Sequence, residues 1–189
     1  MTYYSFSRIL FESDFVYRTS LKVNQIRNMI SNGYIPILPI LFWNVFLTSK
    51  LPPEYQPREF NHNIPALIQI GENAFRLILF SLPLFAKLDI NSKRGRIGLF
   101  LYTVGIGLYF FSWVLLIYFS DHSFIRCYPI FIAPAYTPLF WLIGIAFMID
   151  SYYFPWKYKI WHMLLPSFLF LIFHIHHASL IYFRSVSVP

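Results

Sequence analysis

Five apolar runs, separated by short polar connectors, constrain this chain more than any other feature. They are Tyr34–Thr48, Ile64–Phe85, Ile97–Phe119, Tyr128–Ile149 and Ile160–Phe183. Runs two to five hold 22 to 24 residues each, and about 20 helical residues cross a ~30 Å hydrocarbon core. A backbone in lipid must satisfy its own hydrogen bonds, which favours helices for runs of this kind. The sequence therefore predicts an all-α integral membrane protein, a bundle of five transmembrane helices. Residues 1–33 form an N-terminal cytoplasmic segment, 34–183 the bundle and 184–189 a short extracytoplasmic tail. The first run is short, and Pro36 and Pro39 interrupt it. The alternative for it is a re-entrant or interfacial segment.

Composition agrees with this class. Hydrophobic residues make up 57% of the 189-residue chain and charged residues only 12%, against roughly 25% in a soluble domain. A soluble core of this size cannot hide so much apolar surface, but lipid can cover it. The formal charge of +7 does not point to nucleic acid, because the basic residues sit in short stretches between apolar runs. Outside the spans, ten Lys and Arg fall on one set of alternate segments and four on the other. The excess of positive charge marks the cytoplasmic side. The expected topology is N-in and C-out, in the cell membrane, with multiple passes. The first 30 residues lack a continuous apolar stretch, so the first span is expected to serve as an uncleaved insertion signal. Phe11 and Phe15 in that stretch can share one face of an interfacial amphipathic helix; a disordered tail is the alternative. Cys127 is the sole cysteine, which excludes an intramolecular disulfide and a cysteine-based metal site.

The second run carries Gln69, Glu72, Asn73 and Arg76, spaced to share one stripe of a helix. Ionised side chains at membrane depth are costly and normally face a bundle interior or a wet cavity. Counting residues from the span ends places Glu72, Tyr136, His174 and His177 at comparable depth in the outer half. Asn44 in the first run and Tyr109 in the third also fall there. His174 and His177 are i, i+3 and can reach one partner. Only the fifth run contains histidine within its bounds, so a bis-histidine haem between two helices cannot be built. Zinc would need more ligands than this depth offers, and no metal or cofactor is expected. Pro129, Pro134 and Pro138 should kink or unwind the fourth run around Tyr136 and Thr137. No GxSxG, HExxH, Walker A or dinucleotide fingerprint is present.

These residues predict a polar intramembrane pocket near the extracytoplasmic side that binds or conducts a small ligand or ion. Its walls are expected to carry Asn44, Gln69, Glu72, Asn73, Arg76, Tyr109, Tyr136, His174 and His177. The alternatives are an intramembrane enzyme that uses His174 and Glu72 on a lipid-linked substrate, and a structural subunit bound to partner membrane proteins. Besides the lipid bilayer, the expected partners are a small ligand or ion and possible partner subunits.

Overall fold

A computed structural model describes residues 31–187. The expected interfacial helix around Phe11 and Phe15 lies outside the described residues. The described chain is mostly helical. Helix α1 is Leu38–Leu47, flanked by single 3-10 turns, and α2 is the short Pro57–Phe60 in the following loop. Helix α3 is Ala66–Ser81 and α4 is Lys93–Tyr118. The fourth apolar run holds α5 (Tyr128–Phe131), α6 (Ala133–Tyr136) and α7 (Pro138–Met148), and α8 is Trp161–Ser187. Three helical stretches, Ala66–Phe85, Lys93–Tyr118 and Trp161–Val186, are long and apolar enough to cross a membrane. Ile35–Lys50 and Ala133–Met148 are shorter apolar helical stretches. Helix α8 runs past the expected boundary at 183, and its last turn includes Arg184.

The expectation of a purely α-helical chain needs one correction. Ala86–Leu88 (β1) and Ile149–Tyr152 (β2) pair as a two-stranded antiparallel ribbon. Ala86 lies opposite Tyr152 and Lys87 opposite Ser151. Strands this short leave no readable two-residue period in the sequence; each exists because the other supplies its hydrogen bonds. The ribbon ties the connector before α4 to the connector after α7. Asn32 bridges to Lys87, and the Arg94 guanidinium donates to the Ile149 carbonyl at 2.6 Å. Segments 31–33, 86–96 and 149–160 thus meet at one end of the bundle.

The opposite end is closed by the loop between α1 and α3. Gln56 Nε2 donates to the carbonyls of Thr48 (3.1 Å) and Leu51 (2.7 Å). The Tyr55 hydroxyl donates to the Phe131 carbonyl. Burial pushes Tyr55 far above its usual range, and neighbouring Glu54 acts in the same direction, so this hydroxyl keeps its proton and remains a donor. Arg184 on α8 donates to the carbonyls of Glu59 and His62.

Among the described helices, α4 and α7 pack together most extensively, and glycine lets them do so. A Cβ on Gly144 would lie 2.5 Å from the Tyr102 backbone nitrogen, and one on Gly105 would lie 2.4 Å from the Trp141 nitrogen. Small residues at such contacts let backbones approach, as in helix pairs within lipid. The core on either side is apolar: Leu116, Leu142, Ile145, Met148 and Met163 are almost fully buried. The outer surface is apolar too, with Phe42, Val45, Phe46, Leu67, Ile70, Leu77, Phe111 and Ile172 exposed. An exposed apolar surface of this extent suits lipid rather than water.

The prolines of the fourth run do what their chemistry requires. The helix breaks between Phe131 and Ala133 and again at Thr137. The Thr137 hydroxyl donates to the Ala133 carbonyl at 2.8 Å beside the Thr137 backbone N–H at 3.0 Å, and Pro138 has no donor for the next turn.

Candidate functional site

The site is built on α3 and α8, which pack along their length. Gly71 lets the Phe173 ring lie where a side chain on α3 would otherwise stand. This close approach brings Glu72 against His174 and His177, one helical turn apart on α8. Glu72 is 2% exposed. Its Oε1 faces His174 Nδ1 at 3.0 Å and also accepts from Arg76 Nη2. Its Oε2 faces His177 Nδ1 at 2.6 Å. The other nitrogen of His177, Nε2, lies 2.8 Å from the Phe60 carbonyl at the end of α2.

That arrangement fixes the proton count. A carbonyl can only accept, so His177 Nε2 carries a hydrogen. Nδ1 and Glu72 Oε2 are at hydrogen-bond distance, and two bare lone pairs would repel there. One proton therefore sits between them, on one atom or the other. In both cases Glu72 and His177 together are neutral. Arg76 adds one positive charge that nothing in the cluster cancels. His174 donates from Nδ1 to Glu72, and in the neutral ring Nε2 is then the acceptor. Nε2 makes no hydrogen bond among the described residues.

Arg76 and His174 are the two members of this cluster that line a cavity of about 470 Å³. Glu72 and His177 are sealed behind them. The cavity lies between α1, α3, α4, the broken fourth run and α8, under the α1–α3 loop. Its walls are mainly apolar, including Ile40, Leu79, Phe80, Leu142 and Phe170. The Arg76 guanidinium lies over the Phe170 ring at 5.7 Å, and that ring stacks on His174 at 5.0 Å. Across the cavity, the Tyr109 hydroxyl donates to Asn44 Oδ1 at 2.7 Å. This bond orients the Asn44 amide and leaves its NH2 as a spare donor. Both residues line the cavity.

The nine residues singled out from sequence divide into four groups. Asn44, Arg76, Tyr109 and His174 line the cavity, and Glu72 and His177 form the sealed layer behind Arg76 and His174. Gln69 and Asn73 stand at the margin: Gln69 Nε2 donates to the Asn61 carbonyl at 2.9 Å, and exposed Asn73 accepts from Arg76 Nη1 at 3.3 Å. Tyr136 is 37% exposed and does not line the cavity. Two contributors went unseen in the sequence, Phe60 through its carbonyl and Tyr55 through its ring and hydroxyl. Their only signal was aromatic residues inside a proline-rich loop.

Among the described residues, no group of three or more His, Cys, Asp or Glu side chains could hold a metal ion. No family model matches the chain, and neither the curated proteins nor the solved structures include a significant match.

Proposed function

We propose that this is a five-span membrane protein, N-in and C-out, whose cavity binds an anionic amphiphile. The anionic group pairs with Arg76 and the apolar body fills the space between α1, α4 and α7. The observation that carries the reading is that Arg76 lines the cavity while its carboxylate partner, Glu72, is sealed and shared with two histidines. Glu72 cancels the shared proton and not Arg76, so a net positive charge faces an apolar cavity. A monoanion entering there makes the whole site neutral, and pairing in a low-dielectric space is strong when each charge is hydrogen-bonded. The Asn44 amide offers a further donor. The cavity volume lies in the range of small-molecule sites.

The five-span topology draws support from the way the connectors gather. The ribbon brings the connector with Lys87, Lys93, Arg94 and Arg96 against the connector after α7, and Arg184 joins the α1–α3 loop at the other end. On a Cys127→Ser background, His62→Cys and Ser185→Cys should react with an impermeant thiol reagent from outside, and Lys93→Cys should not. Labelling of position 93 from outside would reverse the orientation.

Binding is tested with the full chain in phosphatidylcholine nanodiscs. Oleate should show a saturable component that oleyl alcohol, with the same chain and no charge, lacks. Arg76→Gln should weaken oleate binding by roughly 10- to 100-fold, the equivalent of about 1.4 to 3 kcal/mol for a charge-assisted hydrogen bond. Equal binding of oleate and oleyl alcohol would overturn the anionic reading.

A further inference from the structure

We propose that the cavity is also catalytic, with His174 as general base in the hydrolysis of an acyl ester whose headgroup carries an oxyanion. This rests on the anionic-amphiphile reading above and extends it from binding to turnover.

The geometry of His174 is the starting point. Its Nδ1 is held by Glu72 Oε1 at 3.0 Å. The ring is stacked on Phe170 at 5.0 Å, so neither rotation nor tautomer is free. A carboxylate that holds one imidazole nitrogen sets the other as the base. Nε2 makes no hydrogen bond among the described residues, and His174 lines the cavity. A histidine with only a packing role has no need of a sealed carboxylate on one side and a cavity on the other. The second histidine has a different role. His177 is 2% exposed, and both its nitrogens are engaged by Glu72 and Phe60. It positions Glu72 and takes no part in the transfer.

The choice of bond follows from what His174 stands beside. The His174 ring and the Arg76 guanidinium both lie against the Phe170 ring, 5.0 Å and 5.7 Å from its centroid, where the apolar wall begins. An amphiphile bound with its oxyanion at Arg76 and its chain in the cavity presents the junction of head and chain to that position. In a monoacyl glycerol phosphate the junction is the carboxylic ester. Among the described residues no serine or cysteine side chain lines the cavity, and its threonine, Thr48, donates its hydroxyl to the Asn44 carbonyl, so the nucleophile is water.

The step balances without any other reactant. His174 Nε2 takes one proton from water as the water oxygen bonds to the ester carbonyl carbon. The tetrahedral intermediate then collapses with cleavage of the bond between that carbon and the glycerol oxygen. The imidazolium returns its proton to the departing oxygen. The products are a fatty acid and glycerol phosphate, and His174 is again neutral. The Asn44 NH2 is the donor available in the same cavity for the carbonyl oxygen.

The test uses the full chain in phosphatidylcholine nanodiscs with oleoyl lysophosphatidate as probe. Binding is measured by saturation, and released oleate by mass spectrometry. The wild-type protein should bind the probe and release oleate. His174→Gln should keep probe affinity within a few-fold and lower oleate release by at least about 100-fold, the low end for a general base. Probe bound by the wild type in an Arg76-dependent manner but not hydrolysed would overturn the catalytic inference and leave the binding reading intact. Hydrolysis that survives His174→Gln would also overturn it. Failure of oleate and the probe to bind at all would bring down the binding reading itself. Hydrolysis of dioleoylphosphatidylcholine at a comparable rate would remove the oxyanion requirement.

Discussion

Glu72→Gln should destabilise the protein by about 3 kcal/mol or more, the scale of breaking a buried ionic network by removing one partner. Arg76→Gln should cost markedly less. The sequence places the two on one helical stripe and does not rank them. The structure separates them. Glu72 is sealed and holds Arg76, His174 and His177, so its replacement leaves one uncharged amide oxygen where two carboxylate oxygens met three partners. A glutamine carries no charge, so Arg76 loses its buried counter-ion. Arg76 is 42% exposed at its side chain and already has a second acceptor in Asn73. Its loss leaves Glu72 with two histidine donors. The double replacement Glu72→Gln with Arg76→Gln should be no less stable than Glu72→Gln alone, since no ion is then stranded. Thermal unfolding in nanodiscs, followed by tryptophan fluorescence, measures all three variants. Equal losses for the two single variants would contradict the asymmetry.

Gly144→Val is expected to abolish folded, monodisperse protein. A Cβ there would stand 2.5 Å from the Tyr102 nitrogen and 2.7 Å from the Tyr102 Cα. Both are backbone atoms of α4, and no side-chain rotation relieves such a clash. The two helices must separate, which opens the core around Leu142 and Ile145 and the cavity wall with it. Overpacking typically costs about 1 to 3 kcal/mol where side chains can adjust; contact with a facing backbone exceeds that. Gly107→Ala is the control, because a Cβ at Gly107 meets nothing within 4 Å. It should be neutral or stabilising by up to about 1 kcal/mol, from the helix propensity gained. Size-exclusion profiles of the two variants decide the matter. A monodisperse Gly144→Val protein would show that α4 and α7 do not pack through Gly144.

The helices were legible in the sequence because each long apolar run needed a self-satisfying backbone. The convergence of Glu72 with His174 and His177 was legible for a related reason. An ionised group in an apolar run must find partners, and counting along unbroken helices puts residues at a common level. Tyr136 shows where that counting fails. The fourth run breaks at Ile132 and Thr137, so rise and rotation past those points no longer follow an ideal helix, and Tyr136 does not line the cavity. Gln69 and Asn73 show a second limit. Successive helical residues point about 100° apart, so a stripe that holds both Glu72 and Asn73 is too wide for both to face inward. The ribbon and the Phe60 carbonyl were beyond reach because each depends on a partner distant in sequence.

The account stands on the proton held between Glu72 and His177, since that proton makes the cavity-facing charge of Arg76 uncancelled. Nitrogen NMR of ¹⁵N-histidine-labelled protein in nanodiscs at neutral pH, with His177→Asn used to assign the resonance, measures it directly. The expected spectrum shows His177 protonated at Nε2, with the second proton bound to Nδ1 or hydrogen-bonded to it from Glu72. A neutral His177 with a bare Nε2, or one whose Nδ1 has no proton within reach, would contradict the account.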